Sequence, residues 1–244
     1  MGYNKLIVLV LLLSGCASSQ YDRDKLINEN KEQIFVETNN QGKLIEFYKN
    51  ELKQKENAET RRKLAGAYLD ADDAEAAIFV LKQLPSSELD FESELLLAKA
   101  YFQFNKLDLS SLHISKSLEL NSQSGEAHNL AGILSSVEGE FELAESHFIE
   151  SRKRFYQEDV VKNNLAALYI LQQRYQESYD LLISVYNNNP EDAKAKANLT
   201  IALVKLGQYP QARALLEHDY SDEQINDIVT AMEQSALDGL EHRP

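Results

Sequence analysis

The chain carries one cysteine, Cys16, and five histidines, at 113, 128, 147, 218 and 242, among 39 acidic residues. Thiols, imidazoles and carboxylates bind metals, form covalent intermediates and move protons, so their spacing decides which of these the chain can do. The histidines fall at no metal-ligand spacing, and there is no HExxH, phosphate-cradling glycine loop or nucleophile elbow. Each imidazole is expected as a helix-surface or packing residue. The carboxylate pairs Asp72-Asp73 and Glu158-Asp159 fall near expected helix starts, where the positive end of the helix dipole accounts for them. Arg152-Lys153-Arg154 is expected to end a helix, again the sign the dipole prefers. The sequence therefore predicts no catalytic constellation, no metal site and no cofactor, and the chain reads as a non-enzyme.

Cys16 has a more specific setting. It follows Leu13-Ser14-Gly15, which close a segment made of Lys5 and the apolar run Leu6 to Leu13. A positive flank, a short apolar core and small residues before a cleavage point describe a secretory signal; about eight apolar residues cannot cross a ~30 Å hydrocarbon core. A cysteine directly after Leu-Ser-Gly is what bacterial lipoprotein processing needs, because the small residues fit the peptidase and the thiol takes the diacylglycerol. A lone thiol can form no disulfide within the chain, and acylation explains the odd count. At ~0.8 kcal/mol per buried CH₂, two or three acyl chains make a firm anchor. The mature protein is expected to begin at Cys16, and Ala17 and Ser18, with no Asp after the cysteine, imply outer-membrane delivery on the periplasmic face.

Removing the signal takes away Lys5 alone, leaving 24 basic against 39 acidic residues and a formal charge of −15. That balance argues against nucleic acid or direct headgroup binding, and its spread along the chain reads as solubility. About 229 mature residues, in a chain 43% apolar, suffice for a sizeable core. No later stretch offers 18 consecutive apolar residues.

Few glycines and prolines, with much Ala, Leu, Glu and Lys, favour helices over strands. A small residue followed four positions on by a large apolar one recurs as Ala77/Leu81, Ser110/Ile114, Ala144/Phe148, Ser178/Leu182 and Ala212/Leu216, in steps of 33, 34, 34 and 34 residues. Upstream of each lies another pair: Leu64-Ala65, Leu97-Ala98, Ala131-Gly132, Leu165-Ala166 and Leu199-Thr200. Tyr68, Tyr101, Tyr169 and Leu203 follow these at helical spacing, while Ser135 stands where the third unit lacks the large residue. Such a register means two antiparallel helices per unit.

These residues resemble the tetratricopeptide repeat, a 34-residue helix-turn-helix unit. Gly139-x-Phe141-x-x-Ala144 and Gly207-x-Tyr209-x-x-Ala212 are the best turn-and-second-helix matches, and Pro190 sits where the family often ends a repeat. The chain departs from the pattern in having no tryptophan and in placing serine for alanine at 110 and 178. The resemblance implies an all-α, right-handed superhelical solenoid, each unit burying its face only by stacking on a neighbour. Leu44 and Tyr48 stand 33 residues before Ala77 and Leu81, which predicts a decayed earlier unit whose first helix runs from about Asp24 to Glu37. At the other end, Ser221-x-x-Gln224 is a capping-box pattern opening a helix with Ile225, Ile228, Val229 and Met232 on one face. The expected organisation is signal peptide 1–15, lipidated cysteine and linker 16–25, degenerate helical repeat 26–57, five repeats 58–220, C-terminal capping helix 221–237 and flexible tail 238–244. A polar linker of eight to ten residues at ~3.5 Å per residue would hold the first helix within ~35 Å of the membrane.

Binding is expected on the groove formed by the first helices of successive repeats. Counting along the register gives Arg62, Leu69, Lys99, Phe102, Ile133, Asn163, Ile170, Ile201 and Lys205 as groove-facing. Phe102 follows the buried Tyr101 and either anchors a partner side chain or packs on the next repeat. Asn164 and Asn198 share one phase a repeat apart, where their amides either pair with a bound peptide backbone or are ordinary repeat asparagines.

The stretch Val161-Lys-Asn-Asn-Leu-Ala-Ala-Leu-Tyr-Ile-Leu, the segment Lys196-Ala-Asn-Leu-Thr-Ile-Ala-Leu-Val-Lys-Leu-Gly-Gln-Tyr, the short link Asp219-Tyr220-Ser221 and the closing helix together resemble the TadD family of tight-adherence (Flp) pilus assembly lipoproteins. The similarity spans roughly residues 25 to 235, and the link-and-helix ending carries most of it. It implies a pilotin-like assembly factor for the secretin, the channel through which the pilus leaves, held at the outer membrane by its lipid. The same features fit a type IV pilus pilotin, or an envelope scaffold for peptidoglycan enzymes or outer-membrane protein assembly.

Overall fold

The computed structural model describes residues 28 and 30–241, with side chains described through 234; the signal segment, Cys16 and the linker lie outside the described residues. Every regular element described is helical. The order is α1 (residues 30–37), α2 (Gln41–Gln54), α3 (Ala58–Asp70), α4 (Ala74–Leu81), a single 3₁₀ turn (Ser86–Glu88), α5 (Phe91–Gln103), α6 (Leu107–Leu120), α7 (Gly125–Glu138), α8 (Phe141–Lys153), α9 (Glu158–Leu171), α10 (Tyr175–Asn188), α11 (Ala193–Lys205), α12 (Tyr209–Leu216) and α13 (Asp222–Glu241). The helices pair as the repeat register predicts, α3 with α4 through α11 with α12. The decayed unit is α1 with α2, and the part of its first helix expected before residue 28 lies outside the described residues.

The helix starts are chemically marked. Asn40, Asn57, Asp73, Asp90, Ser124 and Asp192 are N-caps whose side-chain oxygens accept backbone N–H groups of the first turn. Each such cap contributes about 1 kcal/mol. Asp73 thus has the helix-start role read from the sequence, as do Glu158 and Asp159 in the first turn of α9, while Arg152 and Lys153 lie in the last turn of α8.

The turn inside each unit repeats with the same backbone conformation. Asn39, Asp72, Asn105, Gly139, Gln173 and Gly207 all have positive φ, between 48° and 81°. The N–H of the following residue reaches back to a carbonyl five positions earlier: Asn40 to Phe35, Asp73 to Tyr68, Lys106 to Tyr101, Glu140 to Ser135, Arg174 to Tyr169 and Gln208 to Leu203, at 2.8–2.9 Å. This closure satisfies carbonyls left over at the end of the first helix and fixes where the second begins. Only two of the six positions hold glycine, the residue that adopts this conformation without steric cost.

Two compact units divide between His113 and Ile114, within α6. In the first, Leu44, Tyr48, Leu64, Tyr68, Leu81, Leu97 and Tyr101 belong to one buried cluster. The Tyr48 hydroxyl donates to Glu32 Oε1 at 2.9 Å, tying α2 to α1. In the second, one cluster gathers on Phe148, Val161, Leu165 and Leu168, and another on Leu182, Val185, Leu199 and Leu203. The small residues predicted from the period are sealed: Ala77, Ser110, Ala144, Ser178 and Ala212 are all 0% exposed. The hydroxyl replacing alanine at 110 donates to the Ala98 carbonyl at 2.7 Å, whereas the one at 178 has no partner. In the third repeat the missing aromatic is accommodated by Gly132: a Cβ there would lie 2.7 Å from the ring of Phe148, which is 1% exposed.

The capping box forms: the Gln224 N–H meets Ser221 Oγ at 3.4 Å, and the Ser221 N–H donates to Gln224 Oε1 at 2.9 Å. Ile225 is buried, and Val229 and Met232 pack on the Leu199 cluster, closing the apolar edge of the last repeat. The helix continues to Glu241, past residue 237 where the sequence reading ended it. A nucleated helix extends at little cost over residues that form helices well, even without an apolar face to bury.

Thermal or denaturant melting checks three substitutions. Gln173→Gly should gain about 0.5–1 kcal/mol by relieving the left-handed backbone at φ 62°. Gly132→Ala should lose about 1–3 kcal/mol by displacing Phe148. Ser178→Ala should be neutral or stabilising, because it removes a buried hydroxyl that has no partner.

Candidate functional site

In the second unit the first helices α7, α9 and α11 pack in sequence, each against the next. They are stitched by amides. Asn164 Nδ2 of α9 donates to Asn129 Oδ1 of α7 at 2.9 Å, and Asn198 Nδ2 of α11 donates to Asn163 Oδ1 of α9 at 2.8 Å. Asn129 and Asn163 are the acceptors and are 7% and 6% exposed; Asn164 and Asn198 are half-buried. Asn163 is therefore corrected from a groove-facing residue to a buried one, since its carbonyl is spent on the next repeat. Asn164 and Asn198 each commit one N–H to the ladder. A primary amide also has a second N–H and a carbonyl with two lone pairs, which is what an extended peptide backbone requires.

Ile133, Ile170 and Ile201 are half-buried on the same helices, with Ile133 packed against the Phe148 cluster. Lys205 is a second correction. Its ammonium donates to the Met232 carbonyl and lies 3.4 Å from that of Glu233, so it clamps α13 to α11. Burial pulls its pKa down, as expected for a cation held against carbonyls instead of in water.

A charged cluster braces α8 against the end of α9. Arg174 lies over the Tyr169 ring, 3.9 Å from its centroid, and binds Glu145 at 2.7 Å and Glu177 at 2.6 Å. The Tyr169 hydroxyl donates to Glu145 Oε1 at 2.7 Å. The guanidinium of Arg174, with help from Tyr169, holds Glu145 below the usual carboxylate range. Tyr169 is pushed up to about 12 by burial and by the hydrogen bond to Glu145.

In the first unit, Arg62 of α3 bridges to Asp90 and Glu92 at the start of α5, at 3.0 and 3.3 Å. The guanidinium expected to meet a ligand is thus already paired with the next repeat. Leu69, 9% exposed, belongs to the core cluster, which corrects its assignment to the groove. Lys99 and Phe102 are half-buried on α5. Tyr101 beside Phe102 is buried and stacks on His113, with ring centroids 5.2 Å apart, so Phe102 does leave the core position to its neighbour. His113 in turn lies 2.5 Å from Glu94, itself 5% exposed.

Among the described residues no group of three or more His, Cys, Asp or Glu side chains is gathered as a metal cluster. What the first helices offer is an amide-bearing, half-apolar face suited to a polypeptide. The ladder could have been found from the 34-residue spacing of Asn129 to Asn163 and of Asn164 to Asn198, but the pairing of one series with the other needed the third dimension.

A family profile described as a tetratricopeptide repeat matches residues 169–219. Among solved structures, a chain of the APC/C hetero-tetramer Cut9-Hcn1 is similar over 81% of this chain and 40% of its own length, with a TM-score of 0.72 and 12% identity. TTC0263, a thermophilic TPR protein of Thermus thermophilus, is similar over 72% of this chain and 99% of its own, with a TM-score of 0.61 and 17% identity. YrrB, described as a TPR protein with an unusual peptide-binding site, is similar over 70% and 94%, with a TM-score of 0.51 and 18% identity. No curated protein sequence matches the chain. At these identities the likeness is one of fold: the chain has the all-α architecture of a tetratricopeptide-repeat solenoid, and residues 169–219 match the repeat family itself. Stacked helical repeats of this kind form extended surfaces suited to protein partners.

The Glu145 cluster gives a pH dependence. Its folded pKa lies below the unfolded one, so its contribution is present above the ordinary glutamate range and is lost as pH falls through that range towards the folded value. Melting curves at about pH 6 and about pH 3.5 should show a smaller acid loss for Glu145→Gln than for the wild type.

Proposed function

We propose that this chain is an outer-membrane lipoprotein, anchored through Cys16, that binds a segment of a pilus secretin and assists its assembly in a tight-adherence (Flp) system. The observation that carries this reading is the ending of the chain. The link Asp219-Tyr220-Ser221 leads into a capping helix locked by the Ser221–Gln224 box, by Ile225 and by Lys205. That ending is the part of the sequence most like the TadD lipoproteins. The lipid supplies location, and the first-helix face supplies the contact, with Asn164 and Asn198 meeting a peptide backbone and Ile170 and Ile201 receiving its apolar side chains. YrrB, with its peptide-binding site, is a precedent for peptide capture on a fold of this kind. The acidic balance keeps the body off anionic headgroups, so the anchor alone holds the protein to the membrane. A type IV pilus pilotin uses the same parts.

The test is whether the secretin forms its heat-stable multimer in the outer membrane of four strains: wild type, deletion, Cys16→Ser, and a double Ile170→Glu and Ile201→Glu variant that accumulates normally. Multimer lost from the deletion and from the double variant, and mislocalised or reduced in Cys16→Ser, is the expected result. Unchanged multimer in the deletion strain would sink the proposal; loss of twitching motility in place of Flp fibres would move it to a type IV pilus.

A further inference from the structure

His128 and His147 are 19 residues apart in the chain and sit on the two facing helices of the third repeat, α7 and α8. Their Nδ1 atoms are 3.1 Å apart and their ring centroids 5.3 Å apart, so the contact is one N–H···N hydrogen bond. The other nitrogen of His128, Nε2, lies 3.1 Å from the Ser122 carbonyl, to which it can only donate. That bond fixes both tautomers. Neutral His128 keeps its proton on Nε2 and offers the Nδ1 lone pair, so neutral His147 keeps its proton on Nδ1 and donates it.

This arrangement admits one further proton and not two. The first can enter at His147 Nε2; the imidazolium formed still donates through Nδ1 to the same acceptor, in a charge-assisted bond. A second has only His128 Nδ1 left. There it consumes the lone pair that joins the rings, turns two N–H groups head to head and sets two positive charges side by side.

The surroundings do not compensate that charge. Both rings are half-buried, and burial is the largest influence holding both imidazoles below the ordinary histidine range. Arg154 opposes a proton on His128, as His128 does on His147, while Glu150 favours one on either ring. Glu150 is already bound by Lys153 and Arg154. Elsewhere on α8, Glu145 is taken by Arg174, and at the start of α9 Glu158 is taken by Arg152 and Lys162. Glu126 of α7 acts on Tyr156, and Lys116 and Glu119 near the end of α6 are exposed.

We infer that His128 and His147 are an acid-operated latch on the third repeat, closed with no added proton or one and opened by the second. Opening releases α7 from α8. Asn129, the residue after His128, accepts from Asn164 of α9, so a displaced α7 also loosens the first rung of the amide ladder. The latch does not depend on the identity of any partner. Because the folded state binds fewer protons at these rings than the unfolded chain does, its contribution is full above about pH 6.5 and is lost as pH falls towards the lower folded values.

The test is amide hydrogen exchange of the purified full chain at about pH 7.5 and about pH 5, a window above the ordinary carboxylate range. Rates are read as protection factors, which removes the intrinsic pH dependence of exchange. Expected is an about tenfold loss of protection at the lower pH in α7 and α8, absent from α3 and α4, which carry no histidine. Glutamine does not titrate and can offer either an N–H or a carbonyl, so in His128→Gln and in His147→Gln the loss should shrink to less than about threefold, each variant compared with itself. His218→Gln, at an exposed ring, should behave as the wild type. No loss in the wild type, or an equal loss in all four proteins, overturns the inference. Should a glutamine variant not fold, nuclear magnetic resonance titration of the wild-type rings decides. Two coupled steps at least about one pH unit apart support the latch, and two independent titrations at the ordinary histidine value overturn it.

Discussion

Each repeat depends on a close approach between its two helices, which only small side chains permit. Ala65, Ala98, Ala166 and Thr200 on the first helices and Ala77, Ser110, Ala144, Ser178 and Ala212 on the second are all 0% exposed. With the backbones this near, a large residue one turn on, Leu81, Phe148 or Leu182, fills the neighbouring space and is itself sealed. The third repeat marks the limit of the scheme. It spends a glycine where the others spend alanine or threonine, because Phe148 takes the volume. The left-handed turn between helices serves the same contact, since it sets the length of the first helix and the starting point of the second to within a residue.

Polar chemistry has been distributed around that apolar plan. Between neighbouring first helices the chain uses amides in one unit, where Asn129, Asn163, Asn164 and Asn198 pair across repeats, and an arginine with two carboxylates in the other. Several groups that look available for binding are therefore already occupied, so the polar groups left uncommitted on the first helices are fewer than a count of surface polar residues implies. Buried amides satisfied by other amides fix the register between repeats, because a one-residue slip would leave each without a partner.

The pilus reading draws on the signal, the closing helix and the half-buried isoleucines and amides of α9 and α11.

By itself the sequence determined the fold class, the number of helix pairs and the identity of the residues between them. A period of 33 or 34 residues, with small and large side chains at helical spacing in both halves of each unit, fits stacked pairs of antiparallel helices, and Ala77, Leu81, Leu165 and Leu199 are buried where the period puts them. It also determined the capping box at Ser221, because that contact is local. What only the tertiary structure decided is which residues along one helix phase remain available. Leu69 and Asn163 were legible as first-helix residues but not as buried ones, since their partners lie in other helices. Lys205 was legible as a cation but not as the clamp on α13, whose carbonyls come from 27 and 28 residues further on. Asn163 and Asn198, 35 residues apart, meet only because α9 and α11 pack side by side; contacts between helices depend on crossing geometry, which no linear spacing records.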